Sequence, residues 1–255
     1  MKCMNCGSNF ETPYCGQCGQ EAASGKITFA ELRRTAMRAL SLERGWLHTV
    51  VDLTLRPGKA VRDYLDGKRV VYIGPVRYAI TLNSAWILIM VLASNAGVRM
   101  LGGLELRASA DGVGDMQAMI EEFLQRFWTL LMLLSAPVYA GFSWLIFRSR
   151  GLSFAEHLTL NLFNLGQSAV IALGSALLTL LFPEQMGPIM NISFLVGVAY
   201  YAWLLRGVCA RNAWTAIGGA IVVQLAGLVA AALLGMAGLA ADLLIRGQFT
   251  GKPPI

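Results

Sequence analysis

Charge is scarce in this chain. Only 14% of its 255 residues are Asp, Glu, Lys or Arg, while 56% are hydrophobic; a soluble domain carries about 25% charged residues. That deficit excludes a protein wholly surrounded by water. Histidine is nearly missing, with two residues, which leaves little from which to build a His-based catalytic centre. The middles of the long apolar runs hold no acidic or basic residue, and proton relays and ion pathways usually need one there. Residues 1–26 contain no apolar core, whereas a secretory signal needs about 7–15 apolar residues in a row. An N-terminus left in the cytoplasm is therefore expected.

The charge that is present is concentrated. The first 77 residues hold 12 of the 21 Lys and Arg. This pattern predicts a small basic region followed by an integral membrane domain. The pI of about 9.2 calls for no nucleic acid, because basic residues beside a first span are what the positive-inside rule produces. The expected fold is an all-α integral membrane protein. About five transmembrane helices follow cytoplasmic amphipathic helices and a small N-terminal zinc ribbon. The spans are read at 76–98, 127–147 with Pro137 inside it, 158–182, 188–205 and 214–245. The last is longer than one crossing needs. Loop charges place the basic ends inside and the loop 99–126 outside, so an odd number of spans leaves the C-terminus outside. The domains are expected at 1–20 (ribbon), 21–75 (interfacial helices), 76–247 (bundle) and 248–255 (tail).

Three short helices are read before the first span. Thr28-x-x-Glu31 forms a capping box flanked by Ile27 and Leu32 as a hydrophobic staple. A second helix covers 44–55, with Trp46, Val50 and Leu53 on one side and Arg44, His48, Asp52 and Arg56 on another. Pro57-Gly58 breaks it, and a third helix runs over 59–66 to Gly67. All three are too short to span and are expected to lie on the cytoplasmic leaflet.

The cysteines carry the strongest motif, Cys3-x2-Cys6-x8-Cys15-x2-Cys18. Two residues between paired cysteines let both sulfurs turn onto one ion, and four soft thiolates suit Zn²⁺. Gly7 and Gly19 permit the tight turn after each pair, and Pro13 and Gly16 fit the second knuckle. Four Cys close the coordination shell, so the zinc is read as structural; an open position would be needed for catalysis. A redox dithiol is the weaker alternative. Cys209 stands apart as a membrane-edge thiol, with palmitoylation as a weak further reading.

The densest basic motif is Arg56-Pro-Gly-Lys59, then Arg62, then Lys68-Arg69. Two readings compete. One is a site for a lipid phosphate or anionic headgroup at a helix N-terminus. The other, favoured two to one, is a solvated face with topology charges. The Cys pairs, Tyr14-Cys15-Gly-Gln-Cys18-Gly-Gln20, Arg56-Pro-Gly, Tyr64-Leu-Asp-Gly67-Lys-Arg69, Tyr72 and Pro75 together resemble a bacterial inner-membrane family, domain-of-unknown-function family 3667. The resemblance covers about residues 3–90. It implies a zinc-ribbon head, the Arg-Pro-Gly and Gly-Lys-Arg segment and several membrane helices, and it carries no activity or catalytic residue.

Inside the spans, Asn161, Asn164 and Ser168 share one helix face with Gln167 beside them. Interhelical hydrogen bonding is favoured three to one over a cavity for a polar solute or lipid headgroup. Gly227, Ala231 and Gly235 form a small-residue stripe that admits a close helix from the same chain or from a second copy.

The function expected is an inner-membrane interaction or scaffold protein, or one that binds anionic lipid, with a structural zinc head. Its expected partners are membrane lipids, a cytosolic protein docked on the ribbon and a second copy of the chain; specific nucleic-acid binding is excluded. The alternative is a small transporter or lipid-handling protein. A lipid-modifying enzyme using His48, Asp52, Glu156 and His157 ranks last, because nothing ties those four together in sequence. No enzymatic activity is expected.

Overall fold

The computed structural model describes residues 2, 3, 6–9, 11, 12, 14–18, 45–95 and 113–245. The helix expected after Thr28, the turn at Gly19 and the tail 248–255 lie outside them. The chain forms two units, Met1–Arg44 and Gly45–Ile255.

In the first unit the chain folds back on itself after the first cysteine pair. Cys3 N–H donates to Ser8 O (2.8 Å) and Gly7 N–H to Cys3 O (3.0 Å). Lys2 and Asn9 pair across the turn in an antiparallel bridge. Gly7 takes φ +77°, a left-handed conformation that costs glycine little and other residues more.

The second unit holds seven α-helices among its described residues. They are α1 (Gly45–Leu55), α2 (Pro57–Leu65), α3 (Pro75–Asn95), α4 (Val113–Phe147), α5 (Phe154–Leu181), α6 (Met186–Val208) and α7 (Ala213–Ile245). Five of them, α3 to α7, are long and apolar enough to cross a membrane. Each coincides with one of the spans read from sequence: α4, α6 and α7 contain theirs whole, α5 stops at Leu181, one residue short of the expected end, and the described part of α3 stops at Asn95. Pro137 sits inside α4 without ending it. The start of α5 is fixed by a capping box: Ser153 Oγ accepts from Glu156 N–H, while Glu156 Oε2 accepts from Ser153 N–H.

The spans close on one another through glycines. A Cβ at Gly166 of α5 would overlap the Tyr78 ring of α3, and on α7 one at Gly227 would overlap the Tyr139 ring of α4. Gly219 and Gly238 of α7 receive the α4 rings of Phe147 and Phe123 in the same way. Gly227 of the expected small-residue stripe is thus occupied from within the chain, while Gly235 meets nothing within 4 Å.

Pro57 and Gly58 separate α1 from α2 as expected, with α2 starting two residues earlier than the sequence reading. They open α2, where proline's missing N–H is no loss because the first helical N–H groups have no partner in any case. One face of α1 and α2 packs into the bundle. Trp46, Leu53, Ala60 and Val61 are buried in one core with residues of α5 and α6. Gly58 of α2 meets Gly207 of α6 so closely that a Cβ on either would strike the other's backbone. Side-chain bonds complete the attachment: Gln167 Nε2 of α5 donates to Thr54 Oγ1 (2.7 Å), and Tyr200 OH of α6 donates to Leu53 O (3.0 Å).

Candidate functional site

The four cysteines converge. All four sulfurs lie within 4.8 Å of one another. Cys3 Sγ is 3.5 Å from Cys18 Sγ, and Cys6 Sγ is 3.6 Å from Cys15 Sγ. A tetrahedral ion with metal–sulfur bonds of about 2.3 Å sets its sulfurs about 3.8 Å apart. The cluster therefore has the spacing of a closed four-thiolate shell that could hold a metal ion. Ser8 Oγ lies 2.9 Å from Cys6 Sγ and 3.1 Å from Cys15 Sγ. Its hydroxyl is the main cause that lowers both thiols, Cys15 to a pKa of about 6. That favours the thiolate, the form that binds metal. Cys209 is a contrast. It is buried, and that burial pushes its thiol up to about 12, which removes the basis for reading it as an exposed acylation site.

The basic motif divides. Arg56 is drawn inward: Nε and Nη2 both donate to Asp52 Oδ1, at 3.0 and 2.7 Å. Tyr72 OH donates to Asp52 Oδ2 at 2.9 Å, and His48 Nε2 stands 3.6 Å from the same oxygen. Burial by itself would raise the Asp52 carboxyl, but the bonds from Arg56 and Tyr72 outweigh it and hold the carboxyl below its usual range. Lys68 pairs with Asp63 at 2.7 Å, and the Arg69 guanidinium stands over the Tyr64 ring, 5.6 Å from its centroid. Lys59 and Arg62 lie on the exposed side of α2, and no ion pair engages either among the described residues.

The polar face of α5 is mostly consumed by packing. Asn161 Nδ2 donates to Ser143 Oγ (2.9 Å) and to His157 O (2.8 Å), and Asn161 Oδ1 accepts from Tyr201 OH (2.7 Å). Gln167 Oε1 accepts from Tyr78 OH (2.6 Å), while its Nε2 reaches Thr54. Asn164 differs. It is 2% exposed, and its Oδ1 is buried with no hydrogen-bond donor among the described residues. Ser168 is half-buried beside it.

The four residues considered for catalysis do not form one site. Glu156 is committed to the α5 cap. His157 is wholly buried and lies 3.0 Å from Ser143 Oγ through Nδ1. His48 and Asp52 belong to the Arg56–Tyr72 network instead. Thr54, Tyr72 and Ser143 were not among the expected partners, and the Ser153-x-x-Glu156 pattern of a capping box is the local signal that commits Glu156 to the cap.

No curated protein and no solved structure matches the chain. The segment 43–85, narrower than the resemblance at 3–90, includes α1, α2 and the first half of α3 and holds the Asp52 network and Tyr78. It is similar to the family described as "Protein of unknown function (DUF3667)", whose model matches these residues.

Proposed function

We propose that this is an inner-membrane protein that docks an anionic lipid headgroup at its basic end and carries a structural zinc site in its N-terminal unit as an interaction module. The observation that carries the reading is the uneven distribution of charge over the bundle. The end formed by α2, the 148–153 turn and the 209–212 turn holds Lys59, Arg62, Arg150, Arg206 and Arg211, none of them in an ion pair among the described residues. Arg62 and Arg150 both act electrostatically on Cys209, which supports their gathering at that end. The turn Pro183–Gln185 at the other end has Glu184 and no cation. By the positive-inside rule the basic end faces the cytoplasm. There cations attract anionic lipid with about 1 kcal/mol per Lys or Arg.

Helix α1 supports the same reading. Leu47, Val51 and Leu55 stand exposed at i, i+4 and i+8, opposite the face that packs on the bundle. A second apolar stripe of this kind suits the boundary between headgroups and acyl chains. For the zinc, Cys3, Cys6, Cys15 and Cys18 would supply all four ligands, and the ion would contribute folding energy without an open position for chemistry.

Native mass spectrometry of the full chain in a mild detergent tests both parts. One zinc per chain and a retained phosphatidylglycerol are expected, and Lys59→Glu with Arg62→Glu should remove the lipid while the zinc stays. Lipid retention unchanged by that double substitution would overturn the headgroup site, and absence of zinc would overturn the metal.

A further inference from the structure

Asn164, whose buried Oδ1 has no hydrogen-bond partner among the described residues, lines a cavity between the spans. The cavity measures about 200 Å³ and is bounded by α4, α5, α6 and α7. Its polar lining comes from Tyr139, Asn164, Ser168, Ser193 and Gln224. It exceeds the roughly 150 Å³ that accommodates benzene in an engineered apolar cavity, so it has room for a small organic group.

Three features define what fits. First, none of the lining residues carries a charge, and an unpaired charge there would be costly; the occupant's head is therefore neutral. Second, Asn164 Oδ1 needs a donor, while Ser and Gln side chains both donate and accept. A hydroxyl answers both demands. Third, Phe194 and Leu228 line the cavity and are also exposed on the outer surface of their spans, at 49% and 47%. The cavity thus borders the lipid-facing surface. Ser193 also lines a second, apolar cavity of about 150 Å³ with Trp86, Met90 and Ala176, which offers room for hydrocarbon next to the polar group.

We infer that this cavity binds an uncharged, hydroxyl-bearing amphiphile of the diacylglycerol type, entering sideways from the bilayer with its hydroxyl on Asn164. The site is separate from the basic end and does not depend on the headgroup reading. A free polyol would present the same hydroxyl chemistry from water, and the test distinguishes the two sources.

The full chain in mild detergent is titrated with dioleoylglycerol, with free glycerol and with dioleoylphosphatidylglycerol, and followed by native mass spectrometry and thermal unfolding. One dioleoylglycerol per chain and a raised unfolding midpoint are expected. Asn164→Leu should weaken that binding at least tenfold, and exposed Asn191→Leu should leave it unchanged. Should Asn164→Leu fail to fold, Gly197→Leu serves instead. No atom lies within 4 Å of a Cβ placed at Gly197, so the side chain can enter the cavity without striking backbone. Absence of a dioleoylglycerol adduct overturns the inference, as does one that persists in every folded cavity variant. Glycerol binding as tightly as dioleoylglycerol overturns the lipid-borne source. Phosphatidylglycerol retained by the Asn164 and Gly197 variants but lost on Lys59→Glu with Arg62→Glu would show the basic end to be a second, independent site.

Discussion

Helices α5 and α7 invert the habit of soluble proteins. The spanning stretch of α5 has a mean hydropathy of 1.5 and is 44% buried, whereas that of α7 has 2.3 and is 22% buried. The less apolar helix is the one inside. Lipid is as apolar as leucine, so no hydrophobic gain separates the core from the outer surface. What sorts the helices is the need of polar groups for partners that lipid does not offer. Helix α5 carries Asn161, Gln167 and His157 and must be surrounded. Helix α7 has an outer surface of leucine and valine, exposed at Leu225, Leu228 and Val229, and touches its neighbours through glycine.

The comparison breaks most visibly on the outer face of α7. Leu225→Arg should cost about 3 kcal/mol of insertion, read as a loss of inserted full-length chain in a membrane-insertion assay; ready acceptance would mean that this face does not meet lipid. Next come the glycines of α5. Gly166→Ala drives a methyl into the buried Tyr78 ring and should destabilise by about 2–3 kcal/mol. Gly174 of the same helix has open space, and its replacement by alanine should be neutral or stabilising by up to about 1 kcal/mol. Thermal unfolding in detergent separates the two.

The Asp52 network gives the next largest effect. Asp52→Asn should cost about 2 kcal/mol, the magnitude of a hydrogen bond to a charged group. The carboxyl's pKa is lowered on folding, so its contribution is complete above the unfolded value of about 3.9. It is lost as acid carries the pH down through the lower, folded pKa. Wild-type stability measured against pH should show that acid loss, and the Asn variant should lack it. Smallest is the exchange of glutamines. Gln167→Leu removes bonds to Tyr78 and Thr54 and should cost about 1–2 kcal/mol, while Gln224→Leu on α7 should stay within about 0.5 kcal/mol. Equal effects would erase the distinction between the two helices.

The five long helices were legible because a span is a local property, about 20 apolar residues in succession. The cysteine cluster was legible for a similar reason, since its motif closes within 16 positions, Cys3 to Cys18. The docking of α1 and α2 was not. Its bonds join Thr54 to Gln167, 113 positions away, and Leu53 to Tyr200, 147 positions away, and no pattern within a short helix reports such a partner. The division of the basic motif was half legible. Asp52 and Arg56 stand four positions apart, the spacing of a helical pair, whereas no local pattern reports Tyr72, 20 positions on, as the second donor to Asp52.

The sequence by itself determined that the chain has five membrane-length helices, a crowded set of thiols near its start and cations at one end of the bundle. Tertiary structure decided what the polar face of α5 does. Asn161 and Asn164 are the same residue three positions apart, but one amide is met by Ser143, His157 and Tyr201, while the other lines a cavity and its buried oxygen has no partner among the described residues. The reason is that an amide's hydrogen bonds are satisfied by whichever groups neighbouring helices bring within 3 Å, and helical spacing specifies only which face those groups must approach.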